Sequence, residues 1–428
     1  MNDDQHANLG RWIDEHHPQQ IEFLRQIVRV PSDTPPGDNA PAAEKAAELL
    51  TRLGYAVERH PVDAAVLKAY GMQSVTNLIV RHRFGTGGPT IALNAHGDVV
   101  PPGAGWTRPP YEGVIENGRM YARGVAVSKS DIATFAFALL ALRHAAQHGA
   151  QLNGAVELHF TYDEEFGGLA GPQWLFEKKL VKPDYAIGPG FAYSIVTAHN
   201  GSLQLEVTVH GKAAHGAMPE TGHDALQAAV AMLNALYAAA TGYRHVTSKV
   251  GGIAHPTLNV GLITGGINTN VVPDKVAFRL DRRMIPEENP AAVEAALRAL
   301  IEGVAGKHAG ITAEIRRLLL SNALTPLPGH EKLVQALQRH ARRVLGEDIP
   351  AVGVPLYTDA RLYAERGVPI VLYGAGPRTV LESNAKQADE NLVLEDLRKA
   401  THVVAAAVAD LLVQASAGGA VAELPHLR

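Results

Sequence analysis

Two short segments hold most of the groups in this chain that could do chemistry: NAHGDVVP, Asn94 to Pro101, and TYDEEFGG, Thr161 to Gly168. Each closes an apolar run that reads as a buried strand. In the first, His96 projects from the turn and Asp98 lies two residues on. That is close enough to hold the imidazole in one tautomer, as a carboxylate behind a metal-bound histidine does. Gly97 lets the backbone fold tightly between them. In the second, Asp163, Glu164 and Glu165 are consecutive at a strand end. Adjacent carboxylates raise one another's pKa unless cations lie near, and a carboxylate so crowded can act as a general base at neutral pH. The plainer alternatives are a turn histidine with a local hydrogen bond and a solvated acidic turn.

The two motifs together resemble those of the M20 family of zinc-dependent amidohydrolases and peptidases, which includes acetylornithine deacetylase, succinyl-diaminopimelate desuccinylase, aminoacylase and glutamate carboxypeptidase. The resemblance runs from about Ile21 to Leu412. It implies that His96 and Glu165 are metal ligands, Asp98 the partner of His96, and Glu164 the base that activates water. In the smaller unit it matches GKAAHGAMPETGHDAL, GGINTNVVPD and LDRRMIPEENP. These imply an oxyanion contact by His215, reaching in from a neighbouring subunit, and a substrate or oxyanion contact by Asn270. They also imply a carboxylate clamp by Arg283, a residue suited to bidentate pairing. Arg282 reads better as a salt-bridged strand end. YGAGP and TDAR, Thr358 to Arg361, match as well, and the amides around Gly374 and Gly376 would line the substrate carboxylate.

Three positions depart from the family pattern. Its bridging aspartate, two residues before Lys129, is Val127 here. An acidic ligand is replaced by the turn Gly188, Pro189, Gly190, and the histidine four residues before Glu390 is Lys386. Asp131 belongs by position to the start of the next helix, where its charge suits the helix dipole. A two-metal centre supplies about four positive charges that keep its carboxylates ionised. Losing two acids and gaining an ammonium lowers the demand for metal. The site is therefore expected to hold one divalent metal (zinc, manganese or cobalt) on His96 and Glu165, or none, with Lys386 as its fixed cation and Lys129 adding to the field. A shifted register, with His199 as a substitute ligand, is the competing explanation.

The expected function is hydrolysis of an amide-type C–N bond in a small N-acyl amino acid, dipeptide or related carboxylate. A second reading is a lyase or decarboxylase in which Lys386, with a lowered pKa, is base or Schiff-base nucleophile. A third is a carboxylate-binding homologue without catalysis, which would have no need of a water-activating base.

The elements that must position these residues follow from composition and period. The chain has 428 residues, enough for two domains with sizeable cores. Hydrophobic residues are 46% and charged residues 19% of it, and the formal charge of -4 makes no case for nucleic acid or an anionic membrane. No run of 18 apolar residues and no secretory h-region is visible, so a cytoplasmic protein is expected. With no cysteine, any metal must take His, Asp or Glu. The 20 histidines are too many for their number alone to indicate metal.

Helices are expected over 21–30, 42–53, 131–143 and 172–179, with strands over 77–80, 90–93 and 155–162 between them, the alternation of an α/β domain with a central sheet. From Ser202 the pattern turns to strict alternation, and the order becomes β-α-β-β-α-β, a ferredoxin-like α+β unit. The expected organisation is a catalytic domain from residues 1–198 and 320–428, interrupted by a lid at 199–319 that mediates a homodimer. The last segment, ASAGGAVAELPHLR, reads as disordered.

Overall fold

The computed structural model describes residues 1–413; the segment expected to be disordered lies outside them. A central eight-stranded sheet has four neighbouring parallel strands at its middle, in the order Ala155–Thr161, Thr90–His96, Tyr185–Gly188 and Ile370–Leu372. Antiparallel Thr76–Arg83 and Val57–Pro61 extend one side, and Ile195–His199 with Ala351–Val354 extend the other. Parallel strands end together, so the turns after His96, Thr161, Gly188 and Leu372 open at one edge of the sheet. In open α/β sheets that edge is where ligands bind.

Helices cover both faces, as parallel strands require. The Asp3–Val28, Lys129–Gln147, His330–Leu345 and Leu394–Leu412 helices share one core, in which Leu24, Leu139, Leu142, Val403 and Val404 are fully buried beside Ile91 and Leu93 of the sheet. Burying each such side chain stabilises the fold by roughly 1.5–3 kcal/mol. Ala92, one residue out of phase, belongs to the other face with Ala186, Tyr363 and Leu372. This period of two is what holds Asn94 and His96 off the first core.

The first helix begins at Asp3 and runs through Pro18, about 18 residues earlier than the expected start at Ile21. Its N-terminus is held by a capping box between Asn2 and Gln5. Polar composition and the proline hid it; Leu9, Ile13, Gln20, Phe23 and Leu24 form the buried stripe that makes it a helix.

The second unit is a four-stranded antiparallel sheet in the order Thr257–Gly265, Lys275–Met284, Gly201–His210, Thr312–Ser321, backed by the Ala225–Tyr243 and Pro290–Ala305 helices. This is the ferredoxin-like arrangement. Leu203, Leu205, Val207, Met232, Phe278 and Ile301 form its own core. The Ala225–Tyr243 helix corrects one expectation, because it is long and apolar enough by length and composition to cross a membrane. Here Ala228, Met232 and Leu236 pack on the sheet while Leu226, Val230 and Tyr237 face outward.

Candidate active site

A pocket of about 330 Å³ opens at the carboxyl edge of the parallel strands. Asn94, His96, Asp131, Glu164, Arg283, Asp359 and Lys386 supply its polar groups. Val127, Pro189, Phe191, Leu356 and Tyr357 make much of the remaining wall apolar.

Asp98 organises the acidic turn. It is fully buried, and its two carboxylate oxygens accept from the Glu164 and Glu165 amides at 3.1 and 3.0 Å. His96 Nδ1 lies 3.1 Å from the Asp98 carbonyl and 3.3 Å from its carboxylate. One side chain therefore orients the imidazole and pins the backbone carrying both glutamates. Gly97 serves by closeness of approach: a Cβ there would run into the Tyr162 ring. The Ser128 hydroxyl bridges the amide and carbonyl of His96 at 3.0 and 2.9 Å.

The three consecutive carboxylates point to three places. Asp163 turns inward and accepts from the Ala170 amide at 2.6 Å. Glu164 lies on the pocket wall, buried, 4.0 Å from His96 Nε2, and its carboxylate accepts no hydrogen bond among the described residues. Burial first, and then the Glu165 charge, push its pKa up to about 7 against the pull of His96. Glu165 receives the Lys386 ammonium at 2.6 Å. Burial would lower the His96 pKa, yet the hydrogen bond to Asp98 and the Glu164 charge outweigh it and raise it to about 10.

Lys386 sits at φ +62°, in the left-handed region that costs a non-glycine residue about 1–3 kcal/mol unless its surroundings impose it. The Glu165 and Glu164 charges outweigh partial burial and raise its pKa. That is opposite to the lowered pKa a Schiff-base or basic lysine requires, so the structure counts against the lyase reading.

Several other expectations are corrected by packing. Lys129 does not line the pocket; it donates to the Val30 and Ile27 carbonyls at 3.0 and 3.4 Å, and its charge reaches the site through Asp98. Asp131 does more than start a helix. It is buried on the pocket wall and accepts from the Ala375 amide at 2.8 Å, and burial raises its pKa to about 8. Gly374 must be glycine because a Cβ would collide with that carboxylate. Of the amides around Gly374 and Gly376, that of Ala375 is engaged by Asp131 and that of Gly376 by the Gly190 carbonyl at 2.9 Å. His199 is buried with both nitrogens in use, near the Asn200 carbonyl and the Thr358 amide, and is no substitute ligand.

Arg283 lines the pocket and pairs with Asp281 at 3.0 and 3.1 Å. Arg282 is a buried partner of Glu288, 2.5 Å away, and stacks on Tyr243. The segments carrying His215 and Asn270 pair on the lid, where His215 bridges to Val271 and the Gly216 amide donates to the Asn270 carbonyl at 2.8 Å. Both are exposed, and neither lines the pocket of its own chain.

The donor set is a poor fit for metal. Val127 offers no ligand atom, the Gly188–Gly190 turn offers no carboxylate, and the Lys386 ammonium occupies Glu165. Among the described residues, the only three His, Asp or Glu side chains with ligand atoms within 4.8 Å of one another are His6, His340 and Asp410, none of which lines this pocket. Asp131 and Asp359 are site acids that sequence reasoning passed over. Asp131 was read as a helix-start charge, and Asp359 lay within the matched TDAR without being given a role.

Comparison with known proteins places this architecture. The model of peptidase family M20/M25/M40 matches residues 92–410. The succinyl-diaminopimelate desuccinylase of Methylobacterium nodulans is 28% identical over 399 residues, covering 90% of this chain and 94% of that protein. The acetylornithine deacetylase of Myxococcus xanthus is 30% identical over 376 residues, covering 87% and 92%. Among solved structures, the di-peptidase Dug1p of Saccharomyces cerevisiae superposes with a TM-score of 0.76 at 14% identity, over 95% of this chain and 98% of that one. Human carnosine dipeptidase 1 gives 0.74 at 18%, with the same coverage. With its α/β sheet, inserted lid and motif-bearing strand ends, the chain is a member of peptidase family M20/M25/M40, an enzyme of the amidohydrolase and peptidase kind that acts on amide or peptide bonds.

Proposed function

We propose that this enzyme hydrolyses the amide bond of a small N-acyl amino acid or dipeptide without a resident metal, with Glu164 as general base and the Lys386 ammonium, beside His96, as electrophile. The observation that carries the reading is the ion pair: an ammonium 2.6 Å from Glu165, on a Lys386 that lines the same pocket as Glu164 and His96. A fixed positive charge at the reacting centre is what a developing oxyanion needs.

In this reaction Glu164 takes a proton from water as the water oxygen bonds to the substrate carbonyl carbon. Lys386 and His96 stabilise the charge that moves onto the carbonyl oxygen. Collapse of the tetrahedral intermediate breaks the C–N bond, and Glu164 returns its proton to the departing amine. A carboxyl pKa near 7 suits both transfers. Arg283 receives the substrate carboxylate by giving up part of its pairing with Asp281. The curated relatives named above remove succinyl and acetyl groups, which supports acyl amino acids as the class to test first. Glu164→Gln keeps the shape and removes the base. Turnover of an N-acyl amino acid panel, followed by release of free amine, should fall at least about 100-fold; unchanged turnover would remove Glu164 from the mechanism.

The lid, residues 199–319, belongs in this reading to a homodimer. Leu262 and Ile263 on the edge strand Thr257–Gly265, Ile267 beyond it, and Leu226, Val230 and Tyr237 on the adjoining helix are exposed apolar groups on one unit. A second copy covering them would carry His215 and Asn270 towards the partner's pocket. Mixing inactive Glu164→Gln with inactive His215→Ala should restore activity through hybrid dimers; no recovery, with exchange shown by sedimentation, would mean that His215 does not act on the partner's pocket.

A further inference from the structure

Away from the pocket, three helices remote in sequence bring a second set of ionisable groups together: His6 of Asp3–Val28, His340 of His330–Leu345 and Asp410 of Leu394–Leu412. His340 Nε2 lies 2.8 Å from one Asp410 oxygen, and His6 Nε2 lies 3.6 Å from the other. The two rings are 5.1 Å apart, and one ligand atom from each of the three residues falls within 4.8 Å of the others. The His6 side chain is only 10% exposed, yet its ring makes no hydrogen bond among the described residues, and Nδ1 is sealed from solvent without a partner. Buried polar atoms normally find partners. The nitrogen that faces Asp410 is Nε2, and its 3.6 Å separation from the carboxylate, too long for a hydrogen bond, leaves a place for a ligand between them.

We propose that His6, His340 and Asp410 form a binding site for a transition-metal dication, zinc being the probe, which ties the N-terminal helix to the last two long helices. Two imidazoles and one carboxylate are a zinc, cobalt or nickel donor set. Tetrahedral bonds of about 2.0–2.1 Å put ligand atoms about 3.3–3.5 Å apart, and the two spacings to Asp410 lie on either side of that range. Three protein ligands leave a fourth position for water. Burial holds the His6 pKa below the ordinary imidazole value, and the hydrogen bond from His340 holds the Asp410 carboxyl down against burial.

Arg339 opposes binding, with its guanidinium 2.8 Å from Asp410, and Arg343 and the N-terminal ammonium add positive charge nearby. Arg339 is 64% exposed and can swing into water. It therefore weakens the site without closing it.

The test is zinc titration of the full-length, chelator-stripped protein by calorimetry, with thermal unfolding in parallel. We expect one zinc per chain and a Tm rise of about 3 °C or more at 100 times the Kd. His6→Ala removes no hydrogen bond, so it should fold, and it should weaken zinc at least about tenfold. Arg339→Ala should tighten zinc several-fold, and His96→Ala should leave binding intact. Absence of zinc binding, equal binding by His6→Ala, or loss of binding in His96→Ala would overturn the site, the last by locating the metal in the catalytic pocket.

Discussion

Replacing Lys386 with methionine keeps the length of the side chain and deletes its charge, which makes it the sharpest test of a metal-free centre. Two unit charges 2.6 Å apart interact by about 6 kcal/mol at an effective dielectric of about 20 and by under 2 kcal/mol in water. Lys386 is 54% exposed, so solvent screening places the value between these limits, at about 3 kcal/mol. A similar term acts on an oxyanion formed beside the ammonium, and removal of one such group costs enzymes about 100- to 1,000-fold in kcat. Lys386→Met should therefore lower kcat about 100-fold on the best substrate of an N-acyl amino acid and dipeptide panel. KM should move much less, because the charge is needed mainly in the transition state. A half-exposed ion pair contributes at most about 1 kcal/mol to folding, so Tm should shift by no more than about 2 °C. Assays in chelator-treated buffer separate this from metal catalysis. Turnover within about threefold of wild type, or wild-type activity abolished by the chelator and restored by zinc, would refute the reasoning.

Lys386→His frees Glu165 and adds a donor, so metal content measured by plasma mass spectrometry should rise after growth with zinc, manganese or cobalt; unchanged content would mean the remaining donors cannot converge. Asp131→Asn tests a buried acid by linkage. The folded-state pKa of Asp131 is raised from 3.8 to about 8, so the unfolded chain releases this proton first and wild-type stability falls between pH 4 and 8. The stability of the variant minus that of wild type should climb across that window, by at most about 6 kcal/mol, and a flat difference would show that Asp131 ionises normally. Arg123→Ala breaks the buried pair with Glu390, 2.6 Å apart, whose other oxygen accepts from the Ala126 amide. Chemical denaturation should report a loss of about 3–5 kcal/mol; a loss under about 1 kcal/mol would mean water reaches Glu390.

Local sequence was enough to find the strand ends. His96 and the 163–165 acids close runs of buried β-branched and aliphatic residues, and the strict alternation from Ser202 marks the lid because one face of that sheet is solvated. The departures read at Val127, Gly190 and Lys386 are likewise local, since they interrupt motifs that are contiguous in the chain. Direction is what one dimension cannot carry. Lys129 and Lys386 are both lysines beside motif residues, yet one points under the first helix and the other at Glu165. Asp163, Glu164 and Glu165 are neighbours in sequence and diverge in space, because the Asp98 carboxylate pins two of their amides and the Ala170 amide takes the first side chain. Asp131 meets Ala375 across 244 residues, and His6 meets Asp410 across 404. Such contacts depend on how helices pack over a sheet, a long-range property that period and composition do not encode. The residue types determined which reactions this chain could support; tertiary packing decided which groups share a pocket, which carboxylates are taken out of water, and where the Lys386 ammonium stands.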